Sequence, residues 1–196
     1  MNLQATDLAG EATASLRLGQ DLRSLRKARG LTLAELSLRL GRSVGWLSQV
    51  ERGLSEPGIG DLRALAAVFE VPLSFFFANE SALPEEQGLI VRRDARRSLG
   101  NSQGGLVEEL LSPDLGGSFE LLRSVFAPGA ASPGPAQRPT EEAGYVVAGS
   151  LILNLRGEDF LLQAGDSFRF KEERFSWRNP GDEPCIVIWV VAPPLY

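Results

Sequence analysis

The sequence predicts an α+β chain of two domains, an N-terminal domain of five short helices and a C-terminal all-β sandwich or jelly roll. Three observations carry that prediction. Apolar residues recur at helical spacing as far as Phe77 and at strand-like spacing from Leu106 onward. Capping residues and glycines bracket the earlier runs, whereas Gly, Pro and Asp turns punctuate the later ones. Charge divides at the same place: Arg17 to Arg52 holds eight Lys/Arg against three acids, while from Glu80 onward eleven basic residues face seventeen acidic ones. The overall charge of −5 therefore averages two parts of opposite sign, and only the first suits a phosphate backbone.

Residues 1–14 are small and polar and read as a flexible arm. In residues 15–78, Leu18, Leu22 and Leu25 open a first helix that ends near Gly30. Thr32 precedes the apolar stripe Leu33, Leu36, Leu40, with Glu35 three residues on, the signature of a capping box; Gly41 closes that helix. Ser43 caps the third, whose Leu47 and Val50 face inward, and Gly53 stops it. Asp61 starts the fourth, which runs to Phe69; Val71-Pro72 breaks it, and Leu73 to Phe77 reads as a fifth. Helices two and three, joined by a tight glycine turn, describe a helix-turn-helix, whose second helix can enter a DNA major groove.

Residues 79–105 read as a linker and an edge strand. Leu89 to Arg97 supplies the strand, with Arg92, Arg93, Arg96 and Arg97 either extending a phosphate footprint or blocking unwanted strand pairing. In residues 106–196 eight short strands are expected: Val107–Leu111, Phe119–Phe126, Gly144–Val147, Ser150–Leu155, Asp159–Gln163, Ser167–Phe170, Phe175–Arg178 and Cys185–Val191.

Composition excludes several chemistries. A single cysteine, Cys185, forms no internal disulfide and offers no pair for zinc. With no histidine in the chain, metal sites, Ser-His-Asp triads and imidazole acid–base chemistry lose their usual residues. No catalytic residue, metal or cofactor is expected, and the chain is not expected to be an enzyme. The N-terminus shows no signal peptide, and no run approaches the roughly 20 apolar residues that span a bilayer. The expectation is a soluble, cytoplasmic protein without membrane attachment.

The pattern Gly19…Leu22-Arg23…Leu25-Arg26…Gly30-Leu-Thr-Leu-Ala-Glu-Leu36…Leu47-Ser-Gln-Val-Glu-Arg-Gly53…Pro57…Leu62…Leu65-Ala66…Phe69…Val71 resembles the lambda-repressor-like, xenobiotic-response-element type of DNA-binding domain. That resemblance implies double-stranded DNA as a partner and an Arg26–Glu51 ion pair that orients the third helix. It places Val44, Gly45 and Gln49 where bases are read, with Val44 suited to a thymine methyl and Gln49 to adenine. Gly45 has no side chain to read with, so Arg42, Trp46 or Ser48 are expected to share the contact; Trp46 reads equally as core. Leu33, Arg42, Ser43 and Arg52 fall where contacts to the DNA backbone are expected.

The spacing Glu141-Glu-Ala-Gly-Tyr-Val-Val-Ala-Gly149, then Leu162-Gln-Ala-Gly165-Asp166, then Asn179-Pro-Gly-Asp-Glu-Pro184 resembles a cupin barrel. Together with Ser112-Pro-Asp-Leu-Gly-Gly117 and the Val-Val-Ala-Pro-Pro-Leu-Tyr196 ending, it is similar to regulators that fuse this helix-turn-helix to a cupin, the putrescine-utilisation repressor group among them. Such a chain is expected to be a homodimeric repressor. Many cupins hold a metal through two histidines and a glutamate of a first motif and a histidine of a second. Here Glu142 holds the glutamate position, Pro135 to Arg138 stand at the first-motif histidines, and Phe175 falls near the last, a poor set for a transition metal. The expected ligand pocket is lined by Gln137, Glu142, Tyr145, Phe168, Phe175 and Trp177. Glu142 buried there needs Arg138, Arg178 or a ligand ammonium as its partner. Aromatic faces beside a carboxylate suit a small amine or amino-acid effector. Two alternatives stand beside it: an aromatic core with Glu141 and Glu142 solvated, in a cupin that only dimerises, and a cupin enzyme with a DNA-binding anchor.

Overall fold

A computed structural model describes residues 3–77, 83–86, 88–102 and 104–195. Four α-helices make the N-terminal domain: α1 Leu3–Ala28, α2 Leu33–Leu40, α3 Val44–Glu51 and α4 Ile59–Phe69. The expected fifth helix, Leu73–Phe77, is a 3₁₀ turn. The turn opens on a bond from the Phe75 amide to the Pro72 carbonyl, and burial of Phe75 and Phe76 holds it in place. Helix α1 begins at Leu3, so the backbone expected as an arm continues the first helix. That run holds no proline and several alanines and leucines, which favour helix.

The helical core joins Leu22 and Leu25 of α1, Leu36 of α2, Leu47 and Val50 of α3, and Leu62, Leu65 and Phe69 of α4. Gly19 lets α1 and α3 cross closely, because a Cβ there would stand 2.3 Å from the Val50 carbonyl oxygen.

The described residues form nine antiparallel strands in two sheets. The six-stranded sheet runs β1 (Arg97–Ser102), β2 (Leu106–Leu110), β3 (Glu120–Phe126), β9 (Cys185–Ala192), β4 (Glu141–Ala148) and β7 (Ser167–Lys171). The three-stranded sheet runs β6 (Glu158–Gln163), β5 (Ser150–Leu155) and β8 (Phe175–Arg178). Alternation along β3 and β9 is strict: Leu122, Ser124 and Phe126, and Cys185, Val187, Trp189 and Val191, point inward to meet Leu151 and Leu153 of β5.

The junction departs from expectation. The edge strand starts at Arg97 rather than Leu89, and Pro84–Glu86 and Arg93–Ala95 are 3₁₀ turns. Arg92 bonds back to Glu86, which folds the segment on itself instead of extending it. Part of the expected linker, residues 79–82, 87 and 103, lies outside the described residues. Arg97 ties the domains together: its guanidinium bonds Asp21 of α1 and lies 5.1 Å from the Phe75 ring centroid.

Gly19→Ala is expected to destabilise the helical domain by about 1–3 kcal/mol in denaturant unfolding, because backbone at the crossing cannot yield. Gly45→Ala, with nothing within 4 Å of the added carbon, is expected to be neutral or stabilising by up to about 1 kcal/mol.

Candidate nucleic-acid interface and barrel interior

The second and third helices form as their caps dictate. The Glu35 amide donates to Thr32 Oγ1 at 3.2 Å and the Thr32 amide to Glu35 Oε2 at 2.7 Å, completing the capping box of α2. The Trp46 amide donates to Ser43 Oγ at 3.1 Å, capping α3. A bidentate ion pair then fixes α3 to α1: Arg26 Nε and Nη2 donate to the two Glu51 carboxylate oxygens at 2.6 and 2.9 Å. Both side chains are buried, and Arg26 Nη1 also donates to the Leu31 carbonyl at 2.8 Å. With Leu47 and Val50 turned into the core, Val44, Gly45 and Gln49 are left on the exposed face of α3, and Ser48 is half-buried beside them.

Arg42 is held more firmly than a free phosphate-seeking side chain. Its Nε donates to Asp61 Oδ1 at 2.8 Å, and its guanidinium stacks over the Trp46 ring at 5.1 Å. Trp46 itself is half-buried against the helical core, so it is packing residue and stacking platform at once. Asp61 was legible only as a helix start; its bond to the Gly58 amide fulfils that role, and its grip on Arg42 is additional. Arg52 is exposed at the end of α3, and Leu33 is half-buried at the start of α2. In the junction, Arg92, Arg96 and Arg97 pair with Glu86, Glu109 and Asp21. Burial raises the Asp21 pKa, and the neighbouring Arg97 draws it back down.

In the barrel, strand parity sorts the expected pocket residues. Glu142, Phe168 and Phe175 come together inside. Tyr145 does not: one residue out of phase with Gly144 and Val146 on β4, it is 50% exposed on the outer face. Gln137 is exposed, its amide donating to the Glu172 carbonyl at 3.0 Å. Trp177 packs on Phe126 at 4.7 Å and lines a shallow depression of about 190 Å³ with Ile152, Asn154 and Arg178.

Glu142 is buried and accepts two hydrogen bonds, from Thr140 Oγ1 at 2.9 Å and from Trp189 Nε1 at 2.8 Å. Arg138 Nη1 stands 4.0 Å from the same carboxylate, which rejects the solvated-surface reading of Glu142 and identifies its nearest cation. Phe168, Phe170, Phe175 and Trp189 close around it, with Phe168 and Trp189 centroids 4.7 Å apart and Phe170 and Phe175 5.0 Å apart. Gly144 makes room for this cluster, since a Cβ there would stand 2.3 Å from the Phe168 ring. Trp189 was missed in the sequence, although period-two reading of Cys185, Val187, Trp189, Val191 places it inward and a buried indole N–H requires an acceptor.

Glu108 of β2 faces the same interior and accepts from Ser124 Oγ at 3.1 Å. Burial raises its pKa most; Ser124 and Arg138 oppose that, and Glu142 adds to it. The interior thus holds Glu108 and Glu142, with Arg138 at the mouth. This set does not fit a transition metal: both Glu142 oxygens already accept hydrogen bonds and no imidazole exists in the chain to join them.

Comparison with known proteins agrees with the two-part architecture. Residues 17–74 match the helix-turn-helix domain family, and residues 122–191 match the cupin domain family. The HTH-type transcriptional regulator SutR of Escherichia coli K12 is 30% identical over 169 residues, 85% of this chain and 89% of the relative. The HTH-type transcriptional regulator PuuR of the same organism is 26% identical over 150 residues, 76% of this chain and 80% of the relative. A solved HTH_3 family transcriptional regulator from Vibrio cholerae is 24% identical, covering 94% of this chain and 99% of that one, with a TM-score of 0.43.

Because the Glu108 pKa is raised, its protonated form favours folding below the ordinary carboxylate range, and that contribution is lost as pH rises through the raised value. Glu108→Gln, which keeps the bond from Ser124, is therefore expected to melt above the native protein at about pH 8, with the difference closing toward about pH 4 in thermal scans.

Proposed function

The chain belongs to the helix-turn-helix transcriptional regulators that carry a cupin domain, and from that premise we propose that it is a dimeric repressor whose grip on its operator is set by a small organic cation in the barrel. DNA binding follows from the family. What supports the sensing half is one observation: a buried aromatic cluster encloses Glu142 beside Glu108, and aromatic faces with carboxylates recognise an ammonium or guanidinium group on an apolar body.

In this reading Val44 and Gln49 meet base edges, Ser48 and the Arg42–Trp46 stack flank them, and Ser43, Arg52 and Leu33 meet the backbone. A continuous path supports coupling. Glu108 lies on β2, which pairs with β1; Arg97 of β1 grips α1 at Asp21; and α1 grips α3 through Arg26 and Glu51. An effector shifts DNA affinity only by the difference in its binding to two arrangements of that path. No part of this reading requires catalysis, and the protein acts where the chromosome is, in the cytoplasm.

A second copy is the proposed partner of the outer face of the six-stranded sheet. The solvent face of an antiparallel sheet is ordinarily polar. Here it carries Ile186, Ile188 and Val190 of β9, Tyr145 and Val147 of β4, and Val107 of β2. The Arg123–Glu109 pair stands beside Ile188 within this face and the Arg169–Glu141 pair on its β4–β7 side, so the face offers both signs to an isologous mate. Two reading helices then face half-sites about one helical turn apart.

Fluorescence anisotropy with the gene's own upstream DNA, with and without diamines, polyamines and amino acids, tests the whole reading; equal affinity in every case removes the sensing half. Gln49→Ala is expected to cost about 1–3 kcal/mol on the operator and little on random DNA, whereas Arg52→Ala should weaken both and lower the salt slope by about one. Tyr145→Glu combined with Val147→Glu is expected to give monomers by light scattering and to weaken operator binding; a variant that stays dimeric rejects the proposed face.

A further inference from the structure

We propose that Arg138 is a resident occupant of the barrel's cation seat, a side chain that an organic cation must displace in order to bind. The inference rests on the amine reading above and adds how that site is regulated from within the chain.

The geometry is that of a seated cation. The Arg138 guanidinium carbon lies 5.7 Å from the Phe175 ring centroid, and Nη1 lies 4.0 Å from Glu142 Oε1. Its charge is also felt at Glu108, whose pKa it lowers. One positive group thus faces an aromatic ring and the Glu142 carboxylate, as a ligand ammonium or guanidinium would.

The same geometry makes the occupant removable. A separation of 4.0 Å is beyond a hydrogen bond, so the contact with Glu142 is Coulombic only. Glu142 does not need it to satisfy its oxygens, because Thr140 and Trp189 already donate to them. The Arg138 side chain is 43% exposed and hangs from the segment between the Ala136–Phe175 bridge and buried Thr140, with water as its alternative environment. Four other arginines of the barrel domain are held differently. Arg123, Arg156, Arg169 and Arg178 each donate a hydrogen bond to a carboxylate, on Glu109, Glu173, Glu141 and Asp159 respectively. Arg138 is aimed into the aromatic seat without such a bond.

A competing occupant lowers apparent affinity by the fraction of time it holds the seat. Removing it must therefore tighten binding of a cation that fits, and the seat left by a guanidinium must accept a small guanidinium from solution. The test uses the full-length protein and methylguanidinium, n-butylammonium and 1,4-diaminobutane as probes, with neutral methylurea as the shape control, by calorimetry and thermal shift. Arg138→Ala is expected to bind methylguanidinium about tenfold or more tightly than the native chain, and methylurea no better. Arg138→Lys, which keeps a seated cation, is expected to resemble the native protein. If the native chain binds a probe and Arg138→Ala binds it no more tightly, the displacement mechanism is overturned while the amine reading stands. If no variant binds any cation, both fall. Tighter binding by Arg138→Ala, with or without measurable binding by the native chain, supports the proposal.

Discussion

Two arginine–carboxylate pairs grip one helix, and the arrangement of the molecule depends on them. Arg26 and Glu51 lock α3 to α1, and Arg97 and Asp21 lock α1 to the edge of the barrel. Neither pair is a cheap source of stability, because withdrawing charges from water offsets most of their attraction. Their effect is geometric. Apolar packing among Leu22, Leu25, Leu47 and Val50 is nearly indifferent to small rotations of α3, whereas a bidentate pair with 2.6 and 2.9 Å bonds tolerates little. A helix that must present Gln49 to a base edge gains from that kind of constraint.

The Arg97 joint is less complete than the Arg26 one. Arg97 Nε and Nη1 are buried without a hydrogen-bond partner among the described residues, and burial raises the pKa of its acceptor, Asp21. A buried ion pair with unsatisfied donors is costly to keep and costly to break. The joint between head and barrel is therefore closer to balance than the joint within the head. That asymmetry favours motion of the head as a body on the barrel over motion of α3 within the head.

Much of this was legible in the sequence, for identifiable reasons. Caps at Thr32 and Ser43 and all eight expected strands were readable because each depends on residues within one element or on period alone, whereas the Arg26–Glu51 pair, which joins two helices, was legible only through the family resemblance. The junction was misread because Arg92 turns back to Glu86, a contact that period-based reading cannot see. The fifth helix failed because five residues after a proline cannot sustain an α-helical ladder. One pocket residue was misplaced by one step of strand phase: Tyr145 was assigned inward when Gly144, needed to admit Phe168, occupies that phase. Trp189 came from a strand distant in sequence that lies between β3 and β4, an arrangement set by sheet order rather than by local pattern.

Sheet order also explains why the chain's acids can sit beside its DNA-binding half without spoiling it. Four of the barrel's outward carboxylates are paired with neighbours, Glu109 with Arg96 and Arg123, Glu141 with Arg169, Glu173 with Arg156 and Asp159 with Arg178. Inside the barrel, Glu142 stands 4.0 Å from Arg138, and the same arginine opposes the burial-driven rise of the Glu108 pKa. Near an operator, screening over about 10 Å leaves phosphates responsive chiefly to the exposed arginines of the head. Screening, together with the pairing of some of its surface acids, limits how far the second domain's acidity reaches the DNA, and its buried Glu142 is left to face a cation. Opposite charges in the two halves are compatible because each meets a different partner.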